Sequence, residues 1–297
     1  MHILKKILKT SAISLLVLTL AILGYAALNP LLMRDLKHTA ELFSHGVKPL
    51  WGAGLSGYRA GYCEDGKPCH CIALLHGMGD QALGWRKLLI EARESDWGKQ
   101  QEWVALNLPS NPPNPSVRAI ARQVEDALRP LCSKWTVVGN SYGGWIASWT
   151  ALQWPTGVEK LVLIGSAGLK SARTSDARSY FKEPTVESLK EFFKKAYAHP
   201  RMDLDDKTLA MAVKKMRSSN MKSQMEFQTA EDDLDQPIKK LTQPLTLIWG
   251  EKDQIIPPSA AREFKRLVPR ATYHELKDCG HLPQKECAAD LLKALSL

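Results

Sequence analysis

Five short apolar runs, none alternating with polar residues, limit this chain more than any other feature. They cover residues 71–75 (CIALL), 103–108 (WVALNL), 135–139 (WTVVG), 161–164 (LVLI) and 245–249 (LTLIW), and turn-forming residues close each of them. A strand that is apolar on both faces belongs in a parallel sheet covered on both sides. Helical patterns lie between the runs. Val117–Leu128 puts Val117, Ile120, Ala121, Val124 and Leu128 at i, i+3, i+4, i+7 and i+11. The alternation predicts an α/β fold: a mostly parallel central sheet with helices on both faces. No internal repeat or low-complexity stretch interrupts it.

The rhythm breaks between residues 169 and 242, where no buried strand is legible. Amphipathic helices are expected instead, over Val186–Ala196 (Leu189, Phe192, Phe193, Ala196) and over 207–216 (Leu209, Ala212, Val213, Met216). Helices inserted between two core strands read as a cap over one edge of the sheet. Five of the eight methionines fall here: Met202, Met211, Met216, Met221 and Met225. Packing of cap on core is the plainer use for them; lining an adaptable apolar pocket is the sharper one. The expected organisation is an N-terminal segment over 1–30, a core over 31–168 and 243–297, and a helical cap over 169–242, one domain with an insertion.

The N-terminal segment bears on location. Residues 11–28 form 18 consecutive positions without a charge, preceded by Lys5, Lys6 and Lys9. As a helix at about 1.5 Å per residue this run is just long enough for roughly 30 Å of hydrocarbon. Gly24 and Ala26 would also suit a signal peptidase, but the run exceeds the apolar region of a signal peptide. A retained transmembrane anchor is the favoured expectation, with a cleaved signal, and hence secretion, as the alternative. The three lysines would stay on the cytoplasmic side and the remainder would face the periplasm or exterior, although Arg34 and Lys37 weaken the asymmetry. The same lysines account for three of the nine excess positive charges. No dense basic tract with interleaved aromatics points to nucleic acid.

Six cysteines fit an oxidising compartment. Cys63 with Cys69, across the turn at 64–68, and Cys279 with Cys287 are the attractive pairs, although six cysteines allow fifteen connectivities. A zinc site from Cys63, Cys69, His70 and Cys71 lacks the usual ligand spacing.

Gly139-Asn140-Ser141-Tyr142-Gly143-Gly144 carries the chemistry. It follows the run at 135–139 directly and precedes a helical pattern at 145–152, the strand–turn–helix context that makes G-x-S-x-G specific. Glycines flank the serine where a side chain would clash with strand and helix, and the helix N-terminus offers N–H groups to developing negative charge. A serine nucleophile needs a base, and the base an orienting carboxylate. Asp253 follows the run at 245–249, and His281 lies in the loop Asp278-Cys279-Gly280-His281-Leu282-Pro283 before the last helix. The order Ser141, Asp253, His281 differs from the chymotrypsin and subtilisin orders. Glu251 is the rival acid; His274, His199 and His38 are rival bases without a turn to aim them. His76-Gly77-Met78-Gly79-Asp80 also follows a strand, so its loop should lie beside the serine at the C-terminal edge of the sheet. Backbone N–H groups of Tyr142 and Met78 are the expected oxyanion donors, and His76 a structural ligand of the loop. Trp145 and Trp149, four apart, should pack one face of the serine helix rather than stack on substrate.

Together these motifs resemble the α/β-hydrolases, in particular the capped serine esterases and lipases, and the carbon–carbon bond hydrolases, that carry a G-N-S-x-G-G elbow. The resemblance runs from about residue 57 to the C-terminus. It implies a Ser-His-Asp hydrolase acting through an acyl-enzyme on small-molecule or lipid esters without metal or organic cofactor, with carbon–carbon, thioester or amide bonds, or a non-catalytic binding role, as alternatives. Two departures stand out. Where many relatives have D-x-P-G-x-G, this chain reads Asn107-Leu108-Pro109-Ser110-Asn111-Pro112-Pro113-Asn114-Pro115, a rebuilt and stiff wall. The first loop lacks the second proline-glycine pair common in carbon–carbon hydrolases.

Overall fold

The computed structural model describes residues 29–297 apart from 53, 62–69, 110–115, 173–174, 200–204, 220–224 and 227. The anchor expected at 11–28, the cysteines Cys63 and Cys69, and the proline-rich stretch at 110–115 therefore lie outside the described residues. Among those described, no helix is long and apolar enough to cross a membrane.

Among the described residues, eight strands form one sheet in the order β1-β2-β4-β3-β5-β6-β7-β8. They are β1 Lys48–Gly52, β2 Leu55–Ala60, β3 His70–Leu75, β4 Gln101–Leu106, β5 Trp135–Asn140, β6 Val158–Ile164, β7 Leu245–Gly250 and β8 Thr272–Leu276. From β4 to β8 every pairing is parallel, while β1 and β2 form an antiparallel hairpin that joins β4 antiparallel. Each of the five apolar runs marks one central strand. The sequence reading missed β1, β2 and β8, which lie at the two sides of the sheet. In β8 only Leu276 is buried, so no continuous apolar run was needed there.

Side chains of β3 alternate between two cores. Cys71, Ala73 and Leu75 face one that includes α3 (Val117–Leu128), α4 (Tyr142–Gln153) and α8 (Ser259–Leu267). Ile72 and Leu74 face the other, which includes α1 (Pro30–Ser44), α2 (Arg86–Glu94) and α10 (Ala288–Leu295). Burying each large aliphatic side chain contributes about 1.5–3 kcal/mol, and this two-sided burial makes the central strands apolar throughout. Helix α3 starts where Ser116 accepts the Ala119 N–H at 3.2 Å, the usual serine cap.

The stretch between β6 and β7 contains α5 (Ser175–Lys182), α6 (Val186–Ala196) and α7 (Asp206–Ser218). Helix α6 has the expected bounds; Thr185 and Ser188 form its capping box. Leu189, Leu209 and Val213 make a small core between α6 and α7, with Met216 against it. Aromatic rings add a second cluster: Phe192 meets Phe181 at 5.0 Å and Phe193 at 5.5 Å between centroids. Tyr180, Phe192, Ala196 and Leu234 join the insertion to the main core.

Among the described residues there are two disulfides, Cys279 with Cys287 as expected and Cys71 with Cys132. The second fixes a sulfur that the zinc reading would have used. It ties β3 to the turn after α3 over a separation of 61 residues, a closure that in the chain-entropy model stabilises by about 4 kcal/mol.

Candidate active site

Ser141 lies between the last residue of β5 and the first of α4, with φ 56° and ψ −119°. It and Asp278 are the described non-glycine residues at positive φ, a placement a serine holds only when its surroundings enforce it. Glycines permit the turn. A Cβ on Gly143 would lie 2.2 Å from the Leu75 carbonyl oxygen, and one on Gly139 2.2 Å from that of Gly143. Gly77 abuts the serine, its would-be Cβ 3.3 Å from the Ser141 Cβ.

Asp253 and His281 meet after β7 and β8. Oδ2 of Asp253 is 2.8 Å from Nδ1 of His281, and both residues are buried. Oδ1 of Asp253 accepts the Ile255 and Ile256 N–H groups at 2.9 and 2.8 Å. This aims Oδ2 at the imidazole and leaves Nε2 as the free ring nitrogen. The end of β6 connects the pair to the serine. The Ile164 carbonyl accepts the Ser141 N–H at 2.9 Å, and a Cβ on the next residue, Gly165, would lie 2.9 Å from Asp253 Oδ2 and 3.2 Å from His281 Nδ1. Asn140 completes the connection by donating Nδ2 to the Ile164 and His281 carbonyls at 3.1 and 3.0 Å.

His76 braces the opposite wall. Its Nδ1 lies 2.8 Å from the Gly77 carbonyl, and its Nε2 accepts the Leu108 N–H at 3.0 Å. Those partners require a proton on Nδ1 and none on Nε2, and burial lowers the pKa in the same direction. His76 is thus a neutral strut between the Gly77 loop and the loop after β4. The Met78 and Tyr142 N–H groups have no hydrogen-bond partner among the described residues; Tyr142 opens α4, where N–H groups lack intrahelical acceptors.

The rivals sit elsewhere. Glu251 is ion-paired with Lys277 at 3.0 Å and accepts the Asp278 N–H. His274 is on the edge strand β8, His199 is exposed beyond α6, and His38 lies on α1. Trp145 and Trp149 both donate their indole N–H to the Asp232 carbonyl at 2.7 Å, so they grip the segment leading back to β7.

Sequence reasoning missed the one-turn helix α9, Pro283–Glu286, whose residues bond to the serine turn, the Gly77 loop and the histidine loop. Gln284 donates to Asn140 Oδ1 at 3.0 Å. Lys285 pairs with Asp80, at the end of the Gly77 loop, at 2.8 Å. Burial, the largest single influence, would raise the Asp80 pKa, but the charge and hydrogen bond of Lys285 together with smaller neighbouring contributions outweigh it and the net shift is downward. Glu286 accepts the Gly280 N–H at 2.5 Å and the Ala198 N–H at 3.0 Å, bridging the histidine loop and the end of α6. Burial raises the Glu286 pKa. The Cys279–Cys287 disulfide closes the loop that holds both His281 and Glu286. No local signal marks these residues, because every partner except Gly280 is remote in sequence.

Glu286→Gln can keep only one of the two N–H acceptors and sets an amide donor against the other. We expect kcat to fall roughly 10- to 100-fold, as a displaced base requires, with KM near the parent value. An unchanged kcat, measured on a soluble ester, would remove Glu286 from this role.

A family model described as alpha/beta hydrolase fold matches residues 72–287; the chain belongs to this family of hydrolases. It is 26% identical over 266 residues to Lipase 1 of Psychrobacter immobilis, covering 80% of this chain and 81% of the relative. It is 26% identical over 253 residues to a 2-hydroxy-6-oxononadienedioate/2-hydroxy-6-oxononatrienedioate hydrolase of Klebsiella pneumoniae, covering 76% and 85%. Among solved structures, a membrane phospholipase A described as a bacterial virulence factor superposes with TM-score 0.73 at 20% identity, covering 97% of this chain and 98% of that one. At that identity the likeness is one of fold.

Proposed function

We propose that the protein is a serine hydrolase of carboxylic esters with Ser141 as nucleophile, His281 as general base and Asp253 as the carboxylate that orients it. The observation carrying this reading is a serine in the left-handed region at a strand–helix turn, beside a buried, hydrogen-bonded Asp253–His281 pair. Ser141 Oγ attacks the ester carbonyl while Nε2 of His281 takes its proton. Asp253 stabilises the imidazolium, and the Tyr142 and Met78 N–H groups hold the tetrahedral oxyanion. His281 returns the proton to the departing alcohol. Water, activated by the same nitrogen, then cleaves the acyl-enzyme. Losing one oxyanion donor typically costs about 100- to 1,000-fold in turnover.

Medium or long acyl chains, including lipid, are the proposed substrates. The helical insertion as a cap over 169–242, the apolar run at 11–28 and the lipase relative support this. The run at 11–28 would be a retained membrane anchor, or, if cleaved, a signal for secretion; the catalytic part would face the periplasm or exterior, where its disulfides persist. A panel of p-nitrophenyl esters from acetate to palmitate is expected to show kcat/KM rising with chain length. Strict preference for acetate would refute the lipid reading. The Klebsiella relative motivates a carbon–carbon arm in the same panel, and faster cleavage of a dienoate diketone than of any ester would favour that chemistry.

A further inference from the structure

Large apolar side chains are exposed at six described positions, and four of them, Met33, Leu36, Phe43 and Trp51, fall within one stretch of the chain. On α1, Met33, Leu36, Ala40 and Phe43 stand at i, i+3, i+7 and i+10, one stripe along the helix, and all four are exposed. The opposite side holds the molecule: Leu42 is fully buried, the Thr39 hydroxyl is 3.0 Å from that of Tyr58, and Glu41 pairs with Arg86. Trp51 is exposed as well. It pairs with Ser56 across the β1–β2 hairpin as Pro49 pairs with Tyr58, so Trp51 and Tyr58 project from one face of the sheet, the face on which α1 lies.

Chain continuity and charge indicate what covers this stripe. Helix α1 begins at Pro30, and Asn29, which caps it by accepting the Leu32 N–H at 3.0 Å, is the sole residue between it and the uncharged run at 11–28. Lys37 and Lys48 are exposed and have no carboxylate partner among the described residues, whereas Asp35 and Glu41 are engaged with Gln81 and Arg86. A helix with an apolar outer stripe, flanking lysines and a neighbouring tryptophan has the composition of a segment lying in a bilayer interface, and lysines near the surface favour anionic lipid.

We propose that the outer face of α1, with Trp51, rests in the interfacial layer of a bilayer containing anionic lipid. Asp35 on this helix accepts a hydrogen bond at 3.1 Å from Gln81, which directly follows the loop running from His76 to Asp80. Docking would therefore hold the Gly77 wall of the site close to the lipid from which an ester is drawn. The inference rests on the ester-hydrolase and anchor readings above.

The test uses the full chain reconstituted in phosphatidylcholine vesicles with and without phosphatidylglycerol. In the parent, lipids brominated near the headgroup should quench a component of tryptophan fluorescence that Trp51→Phe removes. The variant Met33→Gln/Leu36→Gln/Phe43→Gln should lose about tenfold of its hydrolysis of vesicle lipid esters, the order expected when interfacial apolar contacts are lost, and keep parental turnover of p-nitrophenyl butyrate in detergent. Parental vesicle hydrolysis in the triple variant, or a quenched component that survives Trp51→Phe unchanged, would overturn the proposal. So would a parental dimer in detergent that the triple variant abolishes without changing vesicle hydrolysis, which would assign the stripe to a second copy. Absence of ester turnover in the parent would instead refute the hydrolase reading, and the quenching measurement would still read docking.

Discussion

Ser141→Ala is expected to lower kcat on a p-nitrophenyl ester by roughly 10⁴-fold or more, the scale set by removing the nucleophile from such a triad. The fold should be indifferent to the change. The Ser141 side chain makes no capping bond to α4. Its backbone keeps the contacts that define the turn, with N–H donated to Ile164 at 2.9 Å and the carbonyl accepting from Gly144 and Ala167 at 3.0 and 3.1 Å. Thermal unfolding of the variant within a few degrees of the parent, with turnover gone, separates lost chemistry from lost structure. Turnover above about a tenth of the parent would contradict the assignment.

Asp253→Asn should cost about 10³- to 10⁴-fold in kcat, the scale of a triad left with the wrong tautomer, because of how its two oxygens are used. Oδ1 is held by the Ile255 and Ile256 N–H groups, so the amide oxygen of Asn must take that position. The NH2 group then faces His281 Nδ1 at the place of an oxygen now 2.8 Å away. Two donors cannot face each other, so Nδ1 gives up its hydrogen and the ring carries it on Nε2. A protonated Nε2 cannot accept the serine proton. Size and burial are preserved, so circular dichroism and unfolding should stay near parental. Activity within tenfold of the parent would mean that Asp253 does not set the tautomer.

How far the sequence discloses such a structure depends on where each residue's partners lie. The strands from β3 to β7 are legible because both of their faces are buried, which forces unbroken apolar runs. Strands β1, β2 and β8 lie at the sides of the sheet, where the constraint relaxes, and a polar-rich segment such as TYHEL carries no run to read. Helices α3 and α6 announce themselves by period and cap; α1 does not, because its outer stripe is apolar and confuses inside with outside. The disulfide between Cys71 and Cys132 joins positions 61 residues apart, and spacing alone cannot select it among the alternatives.

The site divides in the same way. Ser141, Asp253 and the Gly77 loop each follow a strand that can be read, so topology gathers them at one edge; His281 follows β8, which carries no apolar run, and only its glycine-containing loop before the last helix marks it. Their supports are invisible beforehand. Gln284 reaches Asn140 across 144 residues, and Glu286 reaches Ala198 across 88. A Gly165 Cβ would intrude on the Asp253–His281 pair itself, although no motif distinguishes this glycine from one in an ordinary turn. Each chemical motif here is local in sequence, and the scaffolding that aims it is not.

We propose Ser141 as a nucleophile activated by His281. Intact-mass and peptide mass spectrometry after treatment with a fluorophosphonate test it most directly. We expect one stoichiometric phosphonyl adduct located on Ser141, formed by the parent, slowed by orders of magnitude in His281→Ala, and absent in Ser141→Ala. An unmodified parent under conditions that label a known serine esterase, or an adduct on another residue accompanying loss of activity, would contradict it.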